Sequence, residues 1–214
     1  MLRQRYSSAA LALAVTLSAV SPHSHAAEQK LVIKPLAEKQ VTELPAGPLF
    51  WRIENFPAIA QARAAAGPTA LVAEAAGKVW LFTLGPAGGV SRGGTKVAEV
   101  GPLRLFVATR HARPPTKYLL RINEAIGTPG SRTRVHTHPG IEAFYVLSGE
   151  MSQRTPSGVT RVAAGQSAAG HSTDMPMQVW NSGSSGLHSL VMFVVDAARP
   201  FSSPAEFHFS GEDE

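Results

Sequence analysis

Cysteine is absent from this chain of 214 residues, which excludes disulfides, thiolate nucleophiles and thiolate metal ligands. Charged residues make up only 16% of the sequence and aromatic residues 7%. Basic residues outnumber acidic ones by 20 to 15, yet they form no stripe or cluster, so we expect no nucleic-acid partner. Stability must therefore come from a buried apolar core, which a chain of this length can supply.

No apolar run is long enough to cross a bilayer as a helix, but the N-terminus resembles a secretory signal. Arg3 and Arg5 form a basic start, residues 9–20 an apolar centre, and Ser24-His25-Ala26 a small-residue cleavage site. We therefore predict a mature protein that begins at Ala27, is periplasmic or secreted, and has no membrane span. Without Arg3 and Arg5, 18 basic residues face 15 acidic ones, a mild net charge of +3.

Short apolar segments separated by glycine and proline turns dominate the sequence from residue 117 onward, which is typical of an all-β sandwich or barrel. Earlier in the chain, the alanine-rich segment 56–66 predicts one short helix that ends at Gly67-Pro68. The segments TALVAEAA and KVWLFTL predict two further strands. The glycine-rich stretch 85–94 lacks the Lys-Ser/Thr ending of a phosphate-binding loop, and we interpret it as a turn.

Two histidines and a glutamate are spaced so that they can face one another. His136 and His138 are two residues apart, so on a strand both side chains point to the same face. Pro139-Gly140 then interrupts the strand, and Glu142 opens the next apolar run. Imidazole and carboxylate are good ligands for iron, manganese, zinc, nickel or copper. The alternative is a strand edge that carries two surface histidines beside a turn.

The whole pattern, Gly-x5-His-x-His-x3-Glu-x6-Gly from Gly130 to Gly149, resembles the first signature motif of the cupin superfamily, and every fixed position is filled. The resemblance implies an all-β fold, a cupin-type β-barrel or jelly roll with an N-terminal extension that contains one short helix. It also implies that His136, His138 and Glu142 hold a divalent transition metal in a pocket for a small-molecule ligand or substrate. Many members of the superfamily pair into dimers through their sheets, so the resemblance leaves both a monomer and a homodimer as alternatives for this chain.

Together with the signal predicted from the N-terminus, this resemblance divides the chain into four parts, which are a signal peptide at 1–26, an N-terminal extension packing on the barrel at 27–110, the barrel at 111–205 and an acidic tail at 206–214.

The second cupin motif is incomplete. Gly165 and Asn181 are recognisable, but Met177 stands at the position of the usual third histidine, four residues before Asn181. Three interpretations stay open. The site keeps two histidines and one glutamate, as in non-haem iron oxygenases; Met177 or His171 completes it, which favours copper; or metal affinity is weak and the pocket binds a small ligand without chemistry.

Two function classes follow from this reading. The first is a metal-dependent oxygenase or isomerase in which the metal polarises a substrate oxygen or activates dioxygen. The second is a periplasmic cupin that binds a small ligand or a metal without turnover. The fold cannot decide between them, because one fold hosts many functions.

Overall fold

A computed structural model describes residues 30–103 and 114–207. The predicted signal peptide at 1–26 and most of the predicted acidic tail lie outside these residues. No helix in the described ranges is both long and apolar enough to cross a membrane. The elements are β1 (Val32–Val41), β2 (Leu49–Phe56), α1 (Ile59–Ala65), β3 (Ala70–Ala75), β4 (Lys78–Gly85), β5 (Thr95–Leu103), β6 (Tyr118–Gly127), β7 (His136–Thr137), β8 (Gly140–Ser148), β9 (Glu150–Thr155), β10 (Gly158–Ala163), β11 (Ser167–Ala169), β12 (Gln178–Asn181), β13 (Leu187–Asp196) and β14 (Ser203–Pro204).

Strands β6 to β13 form two opposed layers. One layer has the order β6-β13-β8-β11, with β1 added at the β6 edge. The other has the order β10-β9-β12, and β7 joins it through an antiparallel bridge between His136 and Met177. Eight strands in two four-stranded layers with these crossovers make a jelly roll. The predicted all-β class with a single short helix in the extension is confirmed.

Side chains alternate between the inside and the outside of this jelly roll, as the pleat of a strand requires. On β8, Glu142 and Phe144 face the interior, whereas Ile141 and Ala143 face outward into a second core. The interior therefore receives one polar side chain from an otherwise apolar strand. That alternation is the reason a glutamate in the apolar run EAFYVLS ends up in the barrel.

The N-terminal extension packs on the outside of the β6-β13-β8-β11 layer. Its strands form an antiparallel sheet of order β3-β4-β2-β5. Trp51 and Trp80 of this sheet share one buried core with Leu120 and Ile122 of β6. Two sheets that bury a common apolar face are held together by the hydrophobic effect. This packing fixes the outer layer of the barrel against a third sheet.

The helix is shorter than the sequence predicts. It covers Ile59–Ala65, because Phe56 remains the last residue of β2 and packs in a small core with Ala62, Ala65 and Leu81. The glycine-rich stretch 85–94 connects β4 to β5 as a loop after Gly85.

Candidate functional site

A cavity of about 690 Å³ lies inside the jelly roll. His136, His138 and Glu142 all line it, so the structure brings the three motif side chains to one place. Most other wall residues are apolar, and few are polar. Such a combination is typical of small-molecule sites. The principal apolar wall residues are Phe144, Met151, Val179, Val191, Phe193 and Phe201.

His138 is nearly enclosed, with 4% of its surface exposed. Its Nδ1 donates a hydrogen bond of 2.6 Å to the carbonyl of Phe201, so the proton is on Nδ1 and Nε2 keeps its lone pair. The ring packs against Phe193 and Phe201, with ring centroids 4.9 and 4.7 Å away. Burial lowers the pKa of His138 to about 4, so this imidazole is neutral at physiological pH.

His136, on β7, is held in the same way on the same face as His138. Its Nδ1 donates to the carbonyl of Arg134 at 2.8 Å, and its ring meets that of His138 edge-on at 4.9 Å. Burial also lowers the pKa of His136. Both histidines therefore present an unprotonated Nε2 while a backbone carbonyl fixes Nδ1. Histidines that bind metals are usually oriented by a second hydrogen bond of this kind.

Glu142 projects from β8 with 3% of its surface exposed. Its Oε2 lies 4.0 Å from Nε2 of His138, and its Oε1 accepts a hydrogen bond from the amide Nε2 of Gln153. Burial raises the pKa of Glu142 to about 8, partly offset by that amide. With a neutral imidazole and a protonated carboxyl, the contact between His138 and Glu142 is not an ion pair at neutral pH.

Met177 lies directly across from His136. The two residues exchange backbone hydrogen bonds of 2.9 and 2.8 Å, so their side chains lie on the same face of the sheet. Met177 is buried, and its Sδ is 3.2 Å from Nε2 of Gln153, the amide that also donates to Glu142. His171 lies in the loop between β11 and β12, and neither Met177 nor His171 is among the residues that line the cavity.

Gln153 and the carbonyl of Phe201 are parts of the site that the sequence analysis missed. The position of Gln153 could have been predicted from the sequence. It follows Met151 by two residues on β9, and alternate residues of a strand share a face. Phe201 follows the last barrel strand and is 63 residues from His138. It contributes a backbone atom, and a backbone contact of this kind leaves no mark in side-chain patterns.

The donor set suits a divalent transition metal once Glu142 gives up its proton, because two imidazole nitrogens with unprotonated Nε2 and one carboxylate are common ligands. Their spacing is looser than that of an assembled centre. In the described parts of the chain, no three His, Cys, Asp or Glu side chains stand close enough to hold an ion. The three side chains would have to draw together around it.

The position of the motif within the topology agrees with the resemblance found in the sequence. His136 lies on β7, His138 follows the last residue of β7, and Glu142 lies on β8. All three face the interior between two opposed four-stranded layers. Cupins are double-sheet jelly rolls of this kind.

No protein-family model matches this chain, and no curated protein does. Among solved structures, this chain is similar to a Klebsiella pneumoniae protein with a double-stranded β-helix domain, at 26% identity over 41% of this chain and 75% of that one, with a TM-score of 0.35. A polyketide cyclase from Streptomyces resistomycificus shows 20% identity over 42% of this chain and 62% of that one, with a TM-score of 0.35. An oxalate oxidase bound to the substrate analogue glycolate shows 19% identity over 39% and 45%, with a TM-score of 0.34.

Proposed function

We propose that this protein is a cupin that binds a small organic molecule inside its barrel. The observation that supports this proposal is the cavity of about 690 Å³, whose apolar walls surround one polar cluster. An apolar part of the ligand packs against Phe144 and Phe193. A polar part faces His136, His138 and Glu142, which fix its orientation by hydrogen bonds or through a metal.

Filling the cavity tests this proposal. Ala125 of β6 lines the cavity, and Ala125→Leu places extra carbon atoms inside it. Small-molecule libraries are screened by thermal shift, and each hit is measured by calorimetry on the wild type, on Ala125→Leu and on Val159→Leu. Val159 is 48% exposed on β10 and serves as the control. We expect Ala125→Leu to weaken binding at least about tenfold and Val159→Leu to leave it unchanged. Hits that bind all three proteins equally would place the ligand elsewhere.

We further propose that His136, His138 and Glu142 hold a divalent transition metal, namely iron, manganese, zinc, nickel or copper. The hydrogen bonds from both Nδ1 atoms to backbone carbonyls support this assignment, because they leave both Nε2 atoms free as ligands. When bound, the ion supplies Lewis-acid or oxygen-binding chemistry, which suits an oxygenase or an isomerase. Gln153 holds Oε1 of Glu142 and leaves Oε2 toward His138, while the aromatic walls exclude water.

Elemental analysis of the purified mature protein tests the metal site. We expect about one transition metal per chain in the wild type, and none in the double variant His136→Ala, His138→Ala. His188→Ala is the matched control, because the His188 imidazole contacts Glu124 at 2.7 Å and does not line the cavity. A wild type that carries no metal, even after anaerobic loading with iron or copper, would overturn both the metal site and the enzyme hypothesis.

The alternative function is a cupin that binds its small ligand without a metal and without turnover. The hydrogen bonds of Gln153 favour it, because this amide contacts both Glu142 and Met177 and keeps the buried carboxyl satisfied without an ion. The two functions differ in one measurement. If chelation leaves ligand affinity unchanged, the metal-free function is correct; if chelation abolishes binding or turnover, the metal-dependent one is.

We also propose that the protein is exported to the periplasm or secreted. The support is the basic start, apolar centre and cleavage site within residues 1–26. Cell fractionation followed by N-terminal sequencing should find a protein that starts at Ala27 outside the cytoplasm. A chain that keeps its first 26 residues in the cytoplasm would refute export. The homodimer and the lack of a nucleic-acid partner stay predictions.

A further inference from the structure

A second cavity, of about 430 Å³, lies in the N-terminal extension on the far side of the β3-β4-β2-β5 sheet from the barrel. Along β2, Trp51 and Ile53 enter the core shared with the barrel, while Arg52 and Glu54 point to the opposite face and line this cavity. The end of α1 bounds one side, and the glycine-rich loop 85–94 bounds the other. The shared core separates this cavity from the one in the barrel.

Glu54 is a buried acid that lacks a hydrogen-bond donor. Only 2% of its surface is exposed, and its Oε1 is enclosed and has no hydrogen-bond partner. Within the described ranges, no basic side chain forms an ion pair with it. Buried polar atoms normally have a hydrogen-bond partner, so an unpaired carboxyl oxygen is unusual. Glu54 is also one of the residues that line the second cavity, although Oε1 itself is enclosed.

Arg52, two residues earlier, has a buried hydrogen-bond donor that lacks an acceptor. Its Nε is buried and has no acceptor, although its Nη1 donates to the carbonyl of Gly89 in the loop. The same loop is tied to β5, because the backbone amide of Gly88 donates to Glu99 at 2.8 Å. A second guanidinium, that of Arg92, also lines the cavity. The loop is thus held by two hydrogen bonds, and Arg52 and Arg92 place positive charge on this side of the cavity.

We propose that this cavity binds a free α-amino acid, with the ammonium group on Glu54 and the carboxylate on Arg52. Residues two apart on a strand are separated by about 6.6 Å, a distance that one small molecule can bridge between two long side chains. The apolar part of the wall, formed by Phe50, Leu81 and Leu84, suits an apolar side chain such as that of leucine or phenylalanine. This site is independent of the function proposed for the barrel.

Simpler ligands satisfy only half of this arrangement. A phosphate or another plain anion would meet Arg52 and Arg92 but would face the carboxylate of Glu54 across the cavity. A plain amine would pair with Glu54 and leave the guanidinium groups of Arg52 and Arg92 without an anion from the ligand. A ligand that carries both groups offers a partner of opposite charge to each side of the cavity. A water molecule that links Arg52 to Glu54 would be a simpler partner, and the experiment below separates that case from amino-acid binding.

Titration calorimetry on the mature protein compares four probes. These are L-leucine, L-phenylalanine, 4-methylpentanoate, which keeps only the acid of leucine, and 3-methylbutylamine, which keeps only the amine. We expect at least one amino acid to bind at least about tenfold more tightly than either single-group probe, a difference of about 1.4 kcal/mol. Absence of heat from both amino acids at concentrations of about 10 mM would overturn the proposal and leave the water-linked pair as the explanation.

Variants locate the binding. Glu54→Gln and Arg52→Gln should each weaken amino-acid affinity at least about tenfold, whereas Glu74→Gln, at an exposed position of β3, should not change it. Equal affinity in Glu54→Gln and the wild type would refute the site. If Glu54→Gln does not fold, Thr83→Met narrows the cavity from β4 without changing its charge, and binding should be lost. The double variant His136→Ala, His138→Ala should bind the amino acid normally, which separates this proposal from the one for the barrel.

Discussion

At the scale of single residues, one amide connects the parts of the barrel site. Nε2 of Gln153 contacts both Oε1 of Glu142 and Sδ of Met177, so the acid from β8 and the thioether beside β12 are tied to the same side chain of β9. A sulfur is a weak acceptor, and the carboxyl is the stronger partner of this amide. Met177, where the cupin resemblance implies a third histidine, therefore does not take the amide away from Glu142.

Met177→His tests whether that position faces the ion. Because Met177 lies directly across from His136 with its side chain on the same face, a histidine there adds a third imidazole. We expect metal affinity to rise at least about tenfold in competition titrations with a chelating dye. Met175→His, two residues earlier in the loop, is the control and should have no effect. Unchanged affinity in Met177→His would show that the side chain at this position does not reach the metal.

At the scale of elements, the close packing of the first residue of β8 against β13 determines the position of Glu142. Gly140 lies so close to β13 that a Cβ on it would come within 2.2 Å of the carbonyl oxygen of Val194 and 2.5 Å of Cα of Val195. Backbone atoms cannot yield as a flexible side chain does. Gly140 is therefore needed for the two strands to approach, and Glu142 follows it by two residues.

Gly140→Ala should separate β8 from β13 at this point and displace Glu142. We expect a loss of about 1–3 kcal/mol in the free energy of unfolding, as for other overpacked sites, together with weaker metal binding. Gly186→Ala is the matched control, since a Cβ there meets no atom within 4 Å. Denaturant unfolding and metal titration measure the two effects. Equal stability of the Gly140→Ala and Gly186→Ala variants would contradict the close approach.

Sequence patterns account for the elements better than for the contacts between them. Strand alternation places His136 and His138 on one face, and both line the cavity. Strand alternation does not predict the pairing of β1 with β6, because most residues of β1 are exposed and its apolar residues do not alternate with polar ones. Phe201 comes 63 residues after His138, so only the folded topology brings its carbonyl to that histidine.

At the scale of the whole molecule, one core joins the extension to the barrel. Trp80 is buried in it and contacts Tyr145 of β8 at a ring-centroid distance of 6.1 Å. Trp80→Ala should therefore lower the free energy of unfolding by about 3–5 kcal/mol and keep a single unfolding transition. Calorimetry and circular dichroism check both points, with Val159→Ala as the exposed control. Two separate transitions in the wild type would show that the extension and the barrel unfold independently.

The segment after the last barrel strand has a practical consequence for protein engineering. Phe201 holds the tautomer of His138 through its carbonyl, β14 pairs with β7, and Pro204 and Ala205 complete the cavity wall. Residues 201–205 are therefore a working part of the pocket. A truncation made after residue 199 would remove the acceptor of the His138 Nδ1 proton and free the buried imidazole to rotate. Expression vectors for this protein should keep the chain at least through Ala205 and place any tag beyond it, behind a linker.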